Sequence, residues 1–144
     1  MHNRILAAVV LLAEMSAGSA VAADRPVSVS VVLTGEEGET MTLKPDPGAV
    51  KAGRITFRVQ NAAKTERHEM IIARVNDPNA PLPYDAAKHR VIENKLQALG
   101  EVSGIKPGET KSLTVTLKPG KYLLLCNVGG HYEAGMASPF EVVE

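Results

Sequence analysis

His131 lies five residues after Cys126, and Met136 five residues after that, in the stretch CNVGGHYEAGM that follows the apolar run KYLLL. A thiolate, an imidazole and a thioether presented together suit copper: sulfur donors favour Cu(I), and imidazole also accommodates Cu(II). A second histidine, His68, opens the segment HEMIIARV. Two histidines, one cysteine and one methionine match the type 1 copper arrangement, with His₂Cys in a plane and a long, weak Met contact. Such a site works best when it is rigid, and strands hold side chains more firmly than free loops do. The remaining candidates are weaker. His89 is expected on the solvated side of a helix, His2 lies in the leader, and Met70 and Met41 read as core residues.

Strand signals dominate the chain that must position these donors. Val27, Val29 and Val31 alternate, as do Ile55, Phe57 and Val59, and Leu113, Val115 and Leu117. A period of two with one apolar face describes strands of a half-buried sheet. Met70–Val75 and Tyr122–Leu125 are apolar on both faces, which predicts central strands. Turn signals separate the strands at Gly35–Gly38, Pro45–Gly48, Pro107–Gly108 and Pro119–Gly120. The pattern predicts an all-β fold, a Greek-key β-sandwich of seven to eight strands. One segment departs from it. Residues 85–99 carry Val91, Ile92, Lys95, Leu96 and Leu99 at helical spacing, with Asp85 as N-cap and Gly100 as stop, which predicts one helical excursion.

The 144 residues suit one domain. Sixteen basic residues balance sixteen acidic ones, which argues against a nucleic-acid binder. The first 23 residues read as a cleaved secretory signal: Arg4, the apolar stretch Ile5–Ala13, then a small-residue tail ending AVAA. That stretch is too short to span a bilayer. The mature domain is therefore expected over 24–144, in the periplasm, with no membrane span. A single cysteine excludes a disulfide framework, and an exported free thiol is a liability unless something occupies it. Copper would occupy it.

These residues carry a resemblance. The chain resembles the cupredoxins, the small blue copper proteins that include plastocyanin, azurin and rusticyanin, through CNVGGHYEAGM, the upstream NAAKTERHEM and the turn GEVSGIKPGET. The resemblance implies one type 1 copper ion, with His68, Cys126 and His131 as equatorial ligands and Met136 as the axial one. It also implies backbone N–H groups of Glu69 and Val128 bonded to the cysteine sulfur, and a side chain at Asn61 that ties the ligand loop to the scaffold. His131 would bring its ring edge to a bare patch of Gly129, Gly130, Ala134 and Gly135, where electrons could pass. Many relatives have Pro-Gly-His where this chain has Gly129-Gly130-His131, which should loosen the copper-free loop without removing a ligand.

The function expected from these features is that of a periplasmic, monomeric, non-enzymatic electron carrier. Its partners would be redox proteins such as c-type cytochromes or terminal oxidases and reductases. Charge neutrality favours docking through the patch around His131 over long-range steering, and the acidic run Glu36, Glu37, Glu39 reads as a solvated turn. The alternative is a copper-binding protein for delivery, sequestration or resistance; the absence of Met-rich or His-rich tracts favours the carrier. Catalysis is disfavoured because oxidases and nitrite reductases need further histidine clusters or a second cysteine, which this chain lacks.

Overall fold

The alternating segments form strands whose buried residues point one way. In the computed structural model, which describes residues 25–144, β1 (Val27–Thr34) buries Val29, Val31 and Leu33, and β4 (Gly53–Asn61) buries Ile55, Phe57 and Val59. The two run parallel. β2 (Thr42–Asp46) and β9 (Thr110–Leu117) flank them, giving a four-stranded sheet in the order β2-β1-β4-β9. The leader expected over 1–23 lies outside the described residues.

The second sheet has five strands in the order β3-β11-β10-β5-β8. They are β3 (Ala49–Lys51), β5 (His68–Val75), β8 (Gln97–Ile105), β10 (Gly120–Leu125) and β11 (Ala137–Val143). The main core lies between the sheets, where Phe57 meets Phe140 edge-on with ring centroids 5.3 Å apart. Tyr122 is buried in this core with its hydroxyl donating to the Lys118 carbonyl at 2.6 Å, which satisfies the one polar atom the ring carries inside.

The two segments apolar on both faces are neighbours, β10 and β5, within the five-stranded sheet. Their inner residues Met70, Ile72, Tyr122 and Leu124 join the main core. Their outer residues Ile71, Ala73 and Leu125 form a second cluster with Val91, covered by Leu82, Tyr84, Leu96, Tyr132 and Ala137. A strap running over residues 82–96 thus seals the outer face, which explains the two-sided hydrophobicity.

The helix expected over residues 85–99 is absent. The strap contains a two-residue ladder, β6 (Tyr84–Asp85) with β7 (Arg90–Val91), and a single 3₁₀ turn at Glu93–Lys95 before β8 begins. Asp85 Oδ1 does accept the N–H groups of Ala87 and Lys88, as an N-cap would, but the chain then reverses at His89, whose φ is +52°. Leu99, on the expected apolar stripe, is 41% exposed. Two tertiary demands override the local helical spacing: Val91 and Leu96 cover the outer face, and residues 97–105 pair with the otherwise open edge of β5. β8 and the three-residue β3 raise the strand count of the two sheets to nine, above the seven to eight expected.

Candidate metal centre

β5 and β10 are antiparallel, with Ile71 opposite Leu125, so the start of β5 and the end of β10 meet at one end of the sheet. His68 opens β5 and Cys126 follows β10. The chain then makes a compact loop before β11. Its backbone is closed by His131 N–H to Val128 O at 2.9 Å, Ala134 N–H to Gly130 O at 3.0 Å, Met136 N–H to His131 O at 3.0 Å and Cys126 N–H to Met136 O at 3.0 Å. Each candidate ligand in the loop is thereby tied to another by a backbone bond.

The structure brings three of the four candidates together as side chains. His68, Cys126 and His131 are buried, and their donor atoms all lie within 4.8 Å of one another. His68 Nδ1 is 3.1 Å from His131 Nδ1, and Cys126 Sγ is 3.5 Å from the same atom. Met136 is fully buried in the core cluster that includes Cys126.

The donor set fits a metal ion. Two imidazole nitrogens and a sulfur converge with at most one shared proton between any pair, so lone pairs face one another in a desolvated space, an arrangement a cation relieves. Burial pushes the His131 imidazole down to about 4, helped by its neighbour His68. Burial also lowers His68, against the opposing pull of the Gly35 carbonyl and of Glu66 and Glu36. Both rings are therefore neutral ligands at pH 7. The Cys126 thiol is pushed up to about 11 by burial, while N–H groups of Glu69 and Val128 favour its thiolate. Glu69 N–H reaches Sγ at 3.4 Å. Metal binding must displace only the thiol proton.

The depressed His131 has a consequence for the copper-free protein. An unfolded histidine takes up a proton near 6.5, whereas folded His131 refuses one until about 4. The unfolded state binds more protons in that window, so stability present above pH 6.5 is lost as pH falls toward 4. The urea midpoint of copper-free protein should fall steadily across this range; a flat midpoint would contradict the assignment.

Several residues that hold the site carry no signal in the sequence. Asn127, 1% exposed, uses its side chain as a strand would: Oδ1 accepts Val91 N–H at 2.7 Å, and Nδ2 donates to Val91 O at 3.0 Å and Glu93 Oε1 at 2.7 Å. Its backbone N–H donates to Glu69 Oε1 at 3.1 Å. Gly130 N–H donates to His89 O at 2.8 Å, so the strap grips the ligand loop at two points. Asn61, expected to tie the ligand loop, secures instead the approach to His68. Its Nδ2 donates to the carbonyls of Glu66 at 2.8 Å and Ile105 at 2.9 Å, and its Oδ1 accepts Ala63 N–H at 2.9 Å. Glu36, read as part of a solvated turn, accepts from Lys64 N–H, Thr65 N–H and Thr65 Oγ1, and these bonds hold its carboxyl below the usual range.

Gly35 has φ of +122°, and a Cβ there would lie 2.7 Å from Met41 Cα. Gly35→Ala must shift the backbone facing His68 and strain the left-handed conformation. We expect a loss of about 2–4 kcal/mol by chemical denaturation. A loss under about 0.5 kcal/mol would show that the turn relaxes freely.

The patch expected to be bare is a shallow depression of about 540 Å³. Gly129, Gly130, Ala134 and His131 line it, as expected, but Gly135 does not, and Glu37, Glu66, Lys88 and His89 do. His131 itself is only 5% exposed.

A two-sheet sandwich with a buried His₂Cys cluster at one end defines a class of small copper proteins. The profile of copper binding proteins of the plastocyanin/azurin family matches residues 29–143, and the chain belongs to that family; it is a cupredoxin whose cofactor is one type 1 copper ion. Solved structures agree in fold. Auracyanin A, a blue copper protein from the green thermophilic photosynthetic bacterium Chloroflexus aurantiacus, is 26% identical with a TM-score of 0.53, covering 81% of this chain and 99% of its own. Reduced auracyanin from Roseiflexus castenholzii is 17% identical with a TM-score of 0.55, covering 82% of this chain and 99% of its own. An azurin from Methylomonas sp. strain J is 16% identical with a TM-score of 0.56, covering 82% and 98%. No curated protein matches the chain.

Proposed function

We propose that this protein is a periplasmic electron carrier in which His68, Cys126, His131 and Met136 hold the copper. Bound copper supplies a one-electron couple. The observation that supports the reading is the pinned, buried His68–Cys126–His131 cluster, whose donors are held by strands of one sheet and by backbone bonds. A site fixed in this way costs little to reorganise when charge changes. The same burial argues against rapid exchange of the ion, and so against the delivery reading. Met136 belongs in the set because its backbone is bonded to both Cys126 and His131. Export follows from the leader pattern at the N-terminus, and among the described residues no helix is long and apolar enough to cross a membrane. Redox proteins such as c-type cytochromes, oxidases or reductases are the proposed partners. No catalytic role is assigned.

The test is a visible spectrum of residues 24–144 with one equivalent of Cu(II), then ascorbate and reoxidation. An intense thiolate-to-copper band that bleaches and returns is expected. Binding without the band, or reduction that cannot be reversed, would replace the carrier reading with copper handling.

A further inference from the structure

The inner and outer edges of the His131 ring have different surroundings. Nδ1 faces His68 Nδ1 at 3.1 Å and Cys126 Sγ at 3.5 Å, so an ion held by these three donors leaves Nε2 to carry the ring's proton. The backbone bonds of the loop fix where the residue sits, but not the rotation of its ring about the side-chain bonds. One group stands at the outer edge. Glu66 Oε2 lies 4.0 Å from His131 Nε2, with the Glu66 side chain 29% exposed and that of His131 7%. The backbone of Glu66 is held from both sides. Its carbonyl accepts from Asn61 Nδ2 at 2.8 Å, and Glu36 takes the N–H groups of Lys64 and Thr65 just before it. Among the described residues its carboxylate has no other ion-pair partner, since Lys88 pairs with Asp85 and His89 with Glu133 across the same depression.

We infer that Glu66 is a positioning residue for the metal centre: its carboxylate accepts the Nε2–H of metal-bound His131, fixes the tautomer and rotation of the ring, and favours the more highly charged ion. This rests on the carrier reading of the same site and deepens it. The 4.0 Å gap exceeds a hydrogen bond by about 1 Å, which a small rotation of an otherwise unpaired side chain closes. A cation on Nδ1 draws electron density from the ring and makes Nε2–H a stronger donor, so loading the site strengthens the contact. Carboxylate partners orient ligating histidines and raise their basicity in just this way. The anion also stabilises Cu(II) more than Cu(I), because the oxidised centre carries one more positive charge at the same distance.

Two measurements test this. In zinc-loaded protein, whose ion is diamagnetic and has the charge of Cu(II), NMR follows the Nε2–H proton of His131. Wild type should exchange it with water at least about tenfold more slowly than Glu66→Ala does. Equal exchange in the two proteins overturns the proposal. In copper-loaded protein, Glu66→Gln should lower Cu(II) affinity about tenfold and Cu(I) affinity less than about threefold. At a fixed redox poise the ratio of reduced to oxidised copper should therefore rise at least about threefold. Glu37→Gln removes an equal charge from the same depression but from a residue that pairs with no ligand. It should leave the ratio within about 1.5-fold, because solvent screens the more distant charge; a rise equal to that of Glu66→Gln would report a general field and overturn the contact. The carbonyl that Asn61 uses remains in every Glu66 variant, so the copper-free urea midpoint should hold. If a variant nevertheless fails to fold, the wild-type proton decides alone, and exchange at the rate of a free imidazole N–H overturns the proposal. A protected proton in the zinc form, with copper that does not cycle reversibly, would overturn the carrier reading and leave the Glu66 contact standing.

Discussion

Copper-loaded Cys126→Ser is expected to have no intense visible band. That band requires charge transfer from a thiolate, and Cys126 is the chain's one cysteine. A serine hydroxyl stays protonated at neutral pH, so the two imidazoles would bind copper without an anionic partner. Affinity should fall by more than about a hundredfold, beyond what changes to outer-shell partners usually cost. The fold should survive. Serine is nearly isosteric, and its oxygen can take the N–H of Glu69 that now reaches Sγ, so the copper-free stability should change by no more than about 1–2 kcal/mol. Visible and EPR spectra with copper, paired with urea denaturation without it, separate the two effects. A coloured Cu(II) form of the variant would refute the ligand assignment.

Asn127→Ala should produce the second-largest change, and a different one. Removing the side chain takes away three hydrogen bonds and leaves both backbone groups of Val91 without partners in a buried strip. Each orphaned group costs about 1–3 kcal/mol. We expect a loss of about 3 kcal/mol or more, a large share of the about 5–15 kcal/mol that holds a domain together. Because Asn127 follows Cys126 directly, the sulfur's orientation should loosen as well, broadening the visible band and shifting the potential. Asn127→Asp keeps an acceptor for Val91 N–H but sets a carboxylate against Glu93, so it should recover little. Stability and spectrum both unchanged in Asn127→Ala would show that the strap does not position the loop.

The parts of this molecule that were readable in sequence are those set by short-range pattern. The period of two marked the strands, and two-sided apolarity marked β5 and β10 as interior before any pairing was known. Cys126, His131 and Met136 were conspicuous because one short loop carries them, and His68 because it opens a strand. What escaped detection depends on partners distant in the chain. Residues 85–99 have helical spacing, yet the free edge of β5 and the exposed apolar face around Ile71 and Leu125 claim them, and neither demand is written locally. Asn127 looks like any loop asparagine until Val91, 36 residues away, is placed beside it.

The facing imidazoles of His68 and His131 are separated by 63 residues of chain. An ion held between them acts as a cross-link in a protein whose lone cysteine can form no intramolecular disulfide. Closing a loop of that length restricts the unfolded chain substantially, much as a covalent bridge would. The loaded chain then cannot extend fully unless the contact between His68 and the ligand loop through the ion is broken, so unfolding must open the centre on at least one side. Bound copper would add this restraint to a fold that the copper-free chain already adopts.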